Sequence, residues 1–332
     1  MIKQVHFHLE AGTNPYENIA LEEALLASLE RDELVMYLWQ NRRTVVCGRN
    51  QNPWKECRVA TLEAQGGHLA RRLSGGGAVF HDLGNLNFTF LARDPHFNVA
   101  RHMQVICCAL ASFGLDAVVS GRNDITIDGA KFSGNAFFHT GDAHYHHGTL
   151  MVAVDTAHLG RYLCPDARKL EAKGIDSVKA RVVNLGDLCP AITIESLSAA
   201  LVAALSQVYD MKAQALCPER LAGIRQQARP DFFASWEWRF GKTCAFTHRF
   251  DARFDWGGIE VQLRVEKGSI AQACVFSDAL DAAFIAQLAP ALSGCPYTLP
   301  ALLQRLGAIV QTSPEQSTII ADCARCLQQE CA

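Results

Sequence analysis

Residues Arg71–Phe90, RRLSGGGAVFHDLGNLNFTF, decide how the chain is read. Two adjacent arginines run into Gly75, Gly76 and Gly77, and an alternating apolar pattern resumes beyond them. Without side chains, the glycines let another molecule come within van der Waals distance of the backbone amides. Arg71 and Arg72 add permanent positive charge of the kind that binds carboxylate or phosphate. The flanks HLARRLS and NLNFTFLA both read as strands, the second with Leu86, Phe88 and Phe90 on one face. A Rossmann loop would open a helix after GxGxxG, and a Walker loop would end in GK[ST]. Neither pattern is present. A glycine turn joining two strands has no helix N-terminus to hold phosphate, so charge for an anion must come from side chains.

The whole chain sets the frame for that loop. Its 332 residues predict two domains, and 49% hydrophobic with 20% charged residues is the balance of a globular protein. A net charge of −3 lacks the basic excess that nucleic-acid binding needs. No apolar run approaches the about 20 residues of a membrane span, and MIKQVHFHLE has no signal-peptide core. The expectation is a cytoplasmic protein that engages neither nucleic acid nor membrane. The 13 cysteines are scattered and odd in number, which reads as free thiols. Cys323 and Cys326 form a lone CxxC in a helical pattern, read as helix and core cysteines.

Outward from the loop, helices are expected over Asn14–Glu33, Val99–Phe113 and Ile194–Tyr209, with Gly114 as a stop. Leu34–Trp39, Thr44–Arg49 and HYHHGTLMVAV read as strands. Asp128-Gly129 is a hairpin signal pairing ITI with the segment from Lys131 onward. Asp155–Gly186 reads as short helical pieces with charged loop, and Phe232–Phe246 as an aromatic-rich stretch. From about Thr247 hairpins precede helices. The profile is α/β followed by a small α+β domain.

A second group of chemical residues flanks the Asp-Gly turn. Asn123 and Asp124 are candidate partners for hydrated magnesium or a nucleotide. Lys131 is a compact point charge able to hold a carboxylate and a phosphate together, with Ser133, Gly134 and Asn135 leaving room beside it. Alternation puts His144 and His146 on one strand face, next to His147, but no Cys or carboxylate lies at ligand spacing. No dedicated structural metal site is expected.

QNPWKEC (Gln51–Cys57), RRLSGGGAVFHDLGN (Arg71–Asn85), GRNDI with KFSGNA (Gly121–Ala136), HHGTL (His146–Leu150) and SWEWRFG (Ser235–Gly241) together closely resemble the lipoate–protein ligase A family, in its order. The resemblance continues over Trp256–Asp278, the start of the C-terminal domain of its long form. It implies a mixed-sheet catalytic domain of the biotin/lipoate ligase and class II synthetase type over residues 1–246, and a small α+β accessory domain over 247–332. It also implies activation of lipoate with ATP and magnesium to lipoyl-AMP and pyrophosphate. Transfer then follows to a lysine of acceptor lipoyl domains, such as E2 subunits of 2-oxo acid dehydrogenases and the glycine cleavage H protein. By that resemblance Arg72, Gly77, Ala78, Val79, Phe80 and Lys131 contact ATP, and Lys131, Arg72, Ser74, Gly75 and Gly76 contact lipoate. Lys131 is the catalytic residue, and apolar strand residues around the glycine turn line a tunnel for the lipoyl chain. Ala130 departs from the larger polar residue many members carry before the lysine.

The rival within the superfamily is an ATP-independent octanoyl or lipoyl transferase working through a cysteine thioester, with Cys164 as the nearest cysteine beyond HHGTLMV. The intact SGGGAVF run and the extra C-terminal domain weigh against it.

Overall fold

A computed structural model describes residues 1–121, 123–164, 182–241 and 245–330 of the chain. Arg122 of GRNDI and most of the stretch expected as mixed loop, 165–181, lie outside the described residues, as do 242–244 of the aromatic stretch. The strands are β1 Gln4–Leu9, β2 Glu33–Trp39, β3 Thr44–Cys47, β4 His68–Arg71, β5 Val79–His81, β6 Asn85–Arg93 and β7 Val118–Ser120. They continue as β8 Asp124–Ile127, β9 Ala130–Thr140, β10 Ala143–Met151, β11 Gln214–Ala215, β12 His248–Phe254, β13 Gly257–Glu266 and β14 Ser269–Ser277. The fold is mixed α/β. The chain divides into two compact units, Met1–Val46 with Cys57–Ala70 and Val79–Ser235, and Cys47–Glu56 with Arg71–Ala78 and Trp236–Ala332.

The first unit is built on an eight-stranded mixed sheet in the order β11-β1-β2-β6-β10-β9-β8-β7. β1 runs parallel to β2 and β11, whereas β2, β6, β10, β9 and β8 pair antiparallel in turn. The period of two along β6 sends Leu86, Phe88 and Phe90 into one core. Helices Val99–Ala111 and Ile194–Tyr209 fill that core with Val105, Ile106, Leu110, Leu197, Leu201 and Leu205. The opposite face of the sheet meets the first helix, Pro15–Ala27, through Glu22. That helix starts where Asn14 accepts a hydrogen bond from the Tyr16 amide, with Pro15 in its first turn. It stops six residues short of the expected Glu33. Glu33 instead opens β2, where it is fully buried and salt-bridged to Arg220.

The glycine segment does not form the simple turn between two neighbouring strands that its flanks suggest. β4 and β5 are separated by β3 in a three-stranded sheet of order β4-β3-β5, and NLNFTFLA lies in the other sheet as β6. The loop therefore crosses over β3.

In the second unit, β12, β13 and β14 form an antiparallel meander. Helices Ala282–Leu292, Leu299–Gly307 and Pro314–Glu330 pack against it. Cys323 and Cys326 are buried in this core beside Ile319 and Leu327, so the CxxC is packing, as expected. The segment Cys47–Glu56 is fastened to the meander: the Ser277 amide donates to Asn50 O (2.9 Å), Asn50 Nδ2 donates to Ala282 O (2.7 Å), and Lys55 pairs with Glu260 (2.6 Å).

Candidate active site

The Lys131 hairpin owes its geometry to its turn. Asp128 (φ +49°) and Gly129 (φ +78°) are both left-handed, the conformation of a two-residue hairpin turn whose twist matches its strands. Beyond the turn Lys131 faces Thr126, and a bulge shifts the register so that Ile125 faces Ser133 and Asp124 faces Gly134. The lysine side chain lies back along the strand, and its Nζ meets Asp124 Oδ1 at 2.6 Å. Gly134 makes this route available: a Cβ there would stand 2.9 Å from Nζ and 3.2 Å from Cε. The lysine is about one-third exposed, so its ammonium can meet a ligand while Asp124 orients it.

Asn123 is tied to Asn135 in both directions. Asn135 N and Nδ2 both donate to Asn123 O (2.8 and 3.0 Å), and Asn123 Nδ2 donates back to Asn135 O (3.0 Å). Asp124 gives Oδ1 to the ammonium, and Asn123 meets Asn135 through its backbone oxygen and its amide nitrogen. Among the described residues, no three His, Cys, Asp or Glu side chains come together to hold a metal ion.

The three histidines part company. His144 meets Asp94 at the surface (3.1 Å) and His146 is buried against Asn135 (2.8 Å). His147 turns to the other face and meets Glu22 (2.8 Å). Glu22 also accepts from Thr89 Oγ1 (2.7 Å), which in turn accepts from Trp39 Nε1 (3.1 Å). The sequence reading missed this buried polar group. One signal was available: Glu22 lies three residues after Ile19 and four before Leu26, inside the apolar stripe of the first helix.

The glycine loop belongs to the second unit, and there the two arginines differ. Arg71 is 1% exposed, and its guanidinium donates to the carbonyls of Gly48, Arg49, Gln51, Trp238 and Arg239. The free positive charge expected at this position is consumed inside the protein, and burial lowers its pKa. Arg72 bends over its own loop, donating to Ser74 Oγ (3.0 Å), Gly75 O (2.6 Å) and Gly77 O (2.8 Å).

The glycines admit backbone. A Cβ on Gly75 would stand 2.2 Å from Ala279 O, and one on Gly48 would stand 2.2 Å from Gly76 O. Gly76 has φ +85°, and its amide donates to Ala279 O at 3.1 Å. Ser74, Gly75 and Gly76 are consequently buried, while Gly77, Ala78 and Val79 are half-buried and Phe80 is buried against Tyr162. Cys164 is half-buried just beyond the helix Thr156–Tyr162.

The sequence model of the lipoyl protein ligase A/B catalytic domain matches residues 14–206, more than half of the chain. The chain belongs to this family. The model of the bacterial lipoate protein ligase C-terminus matches residues 243–322, so both modules of the family's long form are present. P. falciparum LipL1, solved in complex with lipoate, is 27% identical over 97% of this chain and 99% of that one, with a TM-score of 0.82. Two further structures share the fold. A lipoate-protein ligase A bound with ATP has a TM-score of 0.59 at 24% identity, covering 73% of this chain and 99% of that chain. The bi-partite ligase of T. acidophilum, solved in a study with its E2 lipoyl domain, has a TM-score of 0.62 at 24% identity, covering 75% and 100%.

Proposed function

We propose that this family member is an ATP-dependent lipoate–protein ligase, forming lipoyl-AMP and then lipoylating a lysine on acceptor lipoyl domains. The observation that carries the reading is the Lys131 ammonium, partly exposed and oriented by one carboxylate over a side-chain-free strand position. A carboxylate attacking a triphosphate must overcome the repulsion of two anions. Lys131 neutralises both as the carboxylate oxygen bonds to the α-phosphorus and pyrophosphate leaves, and its charge counts most as negative charge builds at the α-phosphate. Magnesium is assigned to the incoming triphosphate. The remaining roles follow the family: Arg72 and Gly77–Phe80 for the nucleotide, Ser74, Gly75 and Gly76 with Arg72 for lipoate. Lipoate in the LipL1 complex supports that choice of acid. Because Gly76 N–H is bonded to Ala279 O, its use by a ligand requires that bond to open.

The test is to incubate the purified chain with lipoate, ATP and magnesium, measure pyrophosphate, and follow transfer to an isolated lipoyl domain by mass. Release of pyrophosphate followed by a mass gain on the acceptor is expected. Acylation from octanoyl-carrier protein without pyrophosphate, lost on Cys164→Ser, would overturn the reading in favour of the thioester transferase.

A further inference from the structure

His146 is fully buried on β10, outside every role assigned above. Its ring packs against Phe137 (centroids 4.9 Å apart), Phe90 and His102. Asn135 decides its tautomer. The amide nitrogen of Asn135 donates to Asn123 O, so the amide oxygen faces His146 and can only accept. The 2.8 Å contact is therefore His146 Nε2–H donating to Asn135 Oδ1, and the ring is neutral with its lone pair on Nδ1. Nδ1 has no partner among the described residues, which a lone pair in an apolar setting tolerates better than a charge. Burial drives the imidazole pKa well below its ordinary value, consistent with that form.

The chain of contacts leads to the lysine. His146 fixes the Asn135 amide, and Asn135 holds Asn123 through its backbone and side chain. Asn123 is covalently joined to Asp124, whose carboxylate orients the Lys131 ammonium at 2.6 Å. We propose that His146 is a positioning residue for adenylation, acting through Asn135 and Asn123 to hold Asp124 where it aims Lys131. Its bearing on catalysis rests on the ligase reading; its hold on the lysine does not. A ring so placed moves no proton: it supplies one directional N–H in a dry site, where an ångström of error at the ammonium is costly.

Two variants of the full chain separate positioning from packing. His146→Phe keeps a ring in the stack and deletes the donor, whereas His146→Gln restores an N–H within reach of Asn135. Acetic anhydride labelling of Lys131, read by mass spectrometry without substrates, reports how firmly Asp124 holds the amine. Pyrophosphate release reports adenylation. In His146→Phe, Lys131 is expected to be labelled several-fold faster and adenylation to fall about tenfold, with most of both effects reversed in His146→Gln. Unchanged labelling in His146→Phe overturns the proposal, as does equal impairment of both variants, which marks a packing role. Faster labelling with undiminished pyrophosphate release overturns its bearing on catalysis. If the wild-type chain releases no pyrophosphate, the ligase reading fails, while labelling still decides whether His146 positions the lysine.

Discussion

The Lys131 hairpin and the Arg71–Ala78 loop both set cations beside glycines, yet they use the combination in opposite ways. In the hairpin, Gly134 clears a path for a side chain, and the lysine at its end stays partly open to solvent. In the loop, Gly75 and Gly48 clear a path for backbone, and Arg71 is sealed among five carbonyls. A cation beside a bare backbone is therefore not by itself an anion site. The deciding quantity is what the glycine makes room for.

Substitutions can break that contrast at either end. Lys131→Ala is expected to lower pyrophosphate release by about a thousandfold or more while costing only about 1 kcal/mol of stability, since a single partly exposed ion pair with Asp124 is lost. Comparable loss of stability would place Lys131 with the structural cations. Arg71→Met should act the other way. Several buried carbonyls lose their donors, so urea unfolding should show a loss on the order of 4 kcal/mol or little soluble protein. A stable but inactive Arg71→Met would instead make Arg71 a ligand group.

The glycines sharpen the same point with smaller effects. Gly75→Ala should cost about 2 kcal/mol of stability by overpacking against Ala279 O, visible as a lower melting temperature. Gly134→Ala should leave the melting temperature nearly unchanged, because the flexible lysine end can move aside, yet reduce adenylation about tenfold by moving the ammonium. If the two substitutions had the same stability effect, the distinction between backbone and side-chain clearance would fail.

The smallest effect comes from behind the hairpin. His102 is fully buried, stacks on Phe90 at 4.7 Å, and neither ring nitrogen has a partner among the described residues. Burial pushes its pKa from 6.5 down to about 3. Between those values the unfolded chain takes up a proton that the native chain refuses, so His102 makes stability fall as pH drops through that window. His102→Phe preserves the stack and should raise stability by about 1 kcal/mol near neutral pH. It should also flatten the acid limb of stability against pH measured by denaturant unfolding. An unaltered acid limb would show that the native ring is already protonated or bonded to water.

Much of this was legible beforehand because it is local. Asp128-Gly129 demanded left-handed backbone and delivered a hairpin, and alternation along NLNFTFLA placed its apolar face on the helices. Residues whose meaning depends on distant partners were not legible. Nothing near Arg71 in sequence says that Trp238 and Arg239 will supply its acceptors, 167 and 168 residues away. Glu22, His147 and Thr89 likewise become a buried polar group only once the first helix lies on the sheet. β3 between β4 and β5 was hidden because strand order is a tertiary property, whereas the strands themselves are local.

The β8–β9 bulge turns the site into a matter of counting. The two-residue tip forces Lys131 opposite Thr126, while the base of the hairpin keeps the register of Asp124 with Gly134, and Phe132 absorbs the one-residue difference. One residue added to the tip would relieve that mismatch, straighten the ladder and bring Lys131 opposite Ile127. The ammonium would then begin about 3.3 Å farther from Asp124, with no functional side chain altered. The turn is thus constrained twice, in identity by its left-handed backbone and in length by the register it sets.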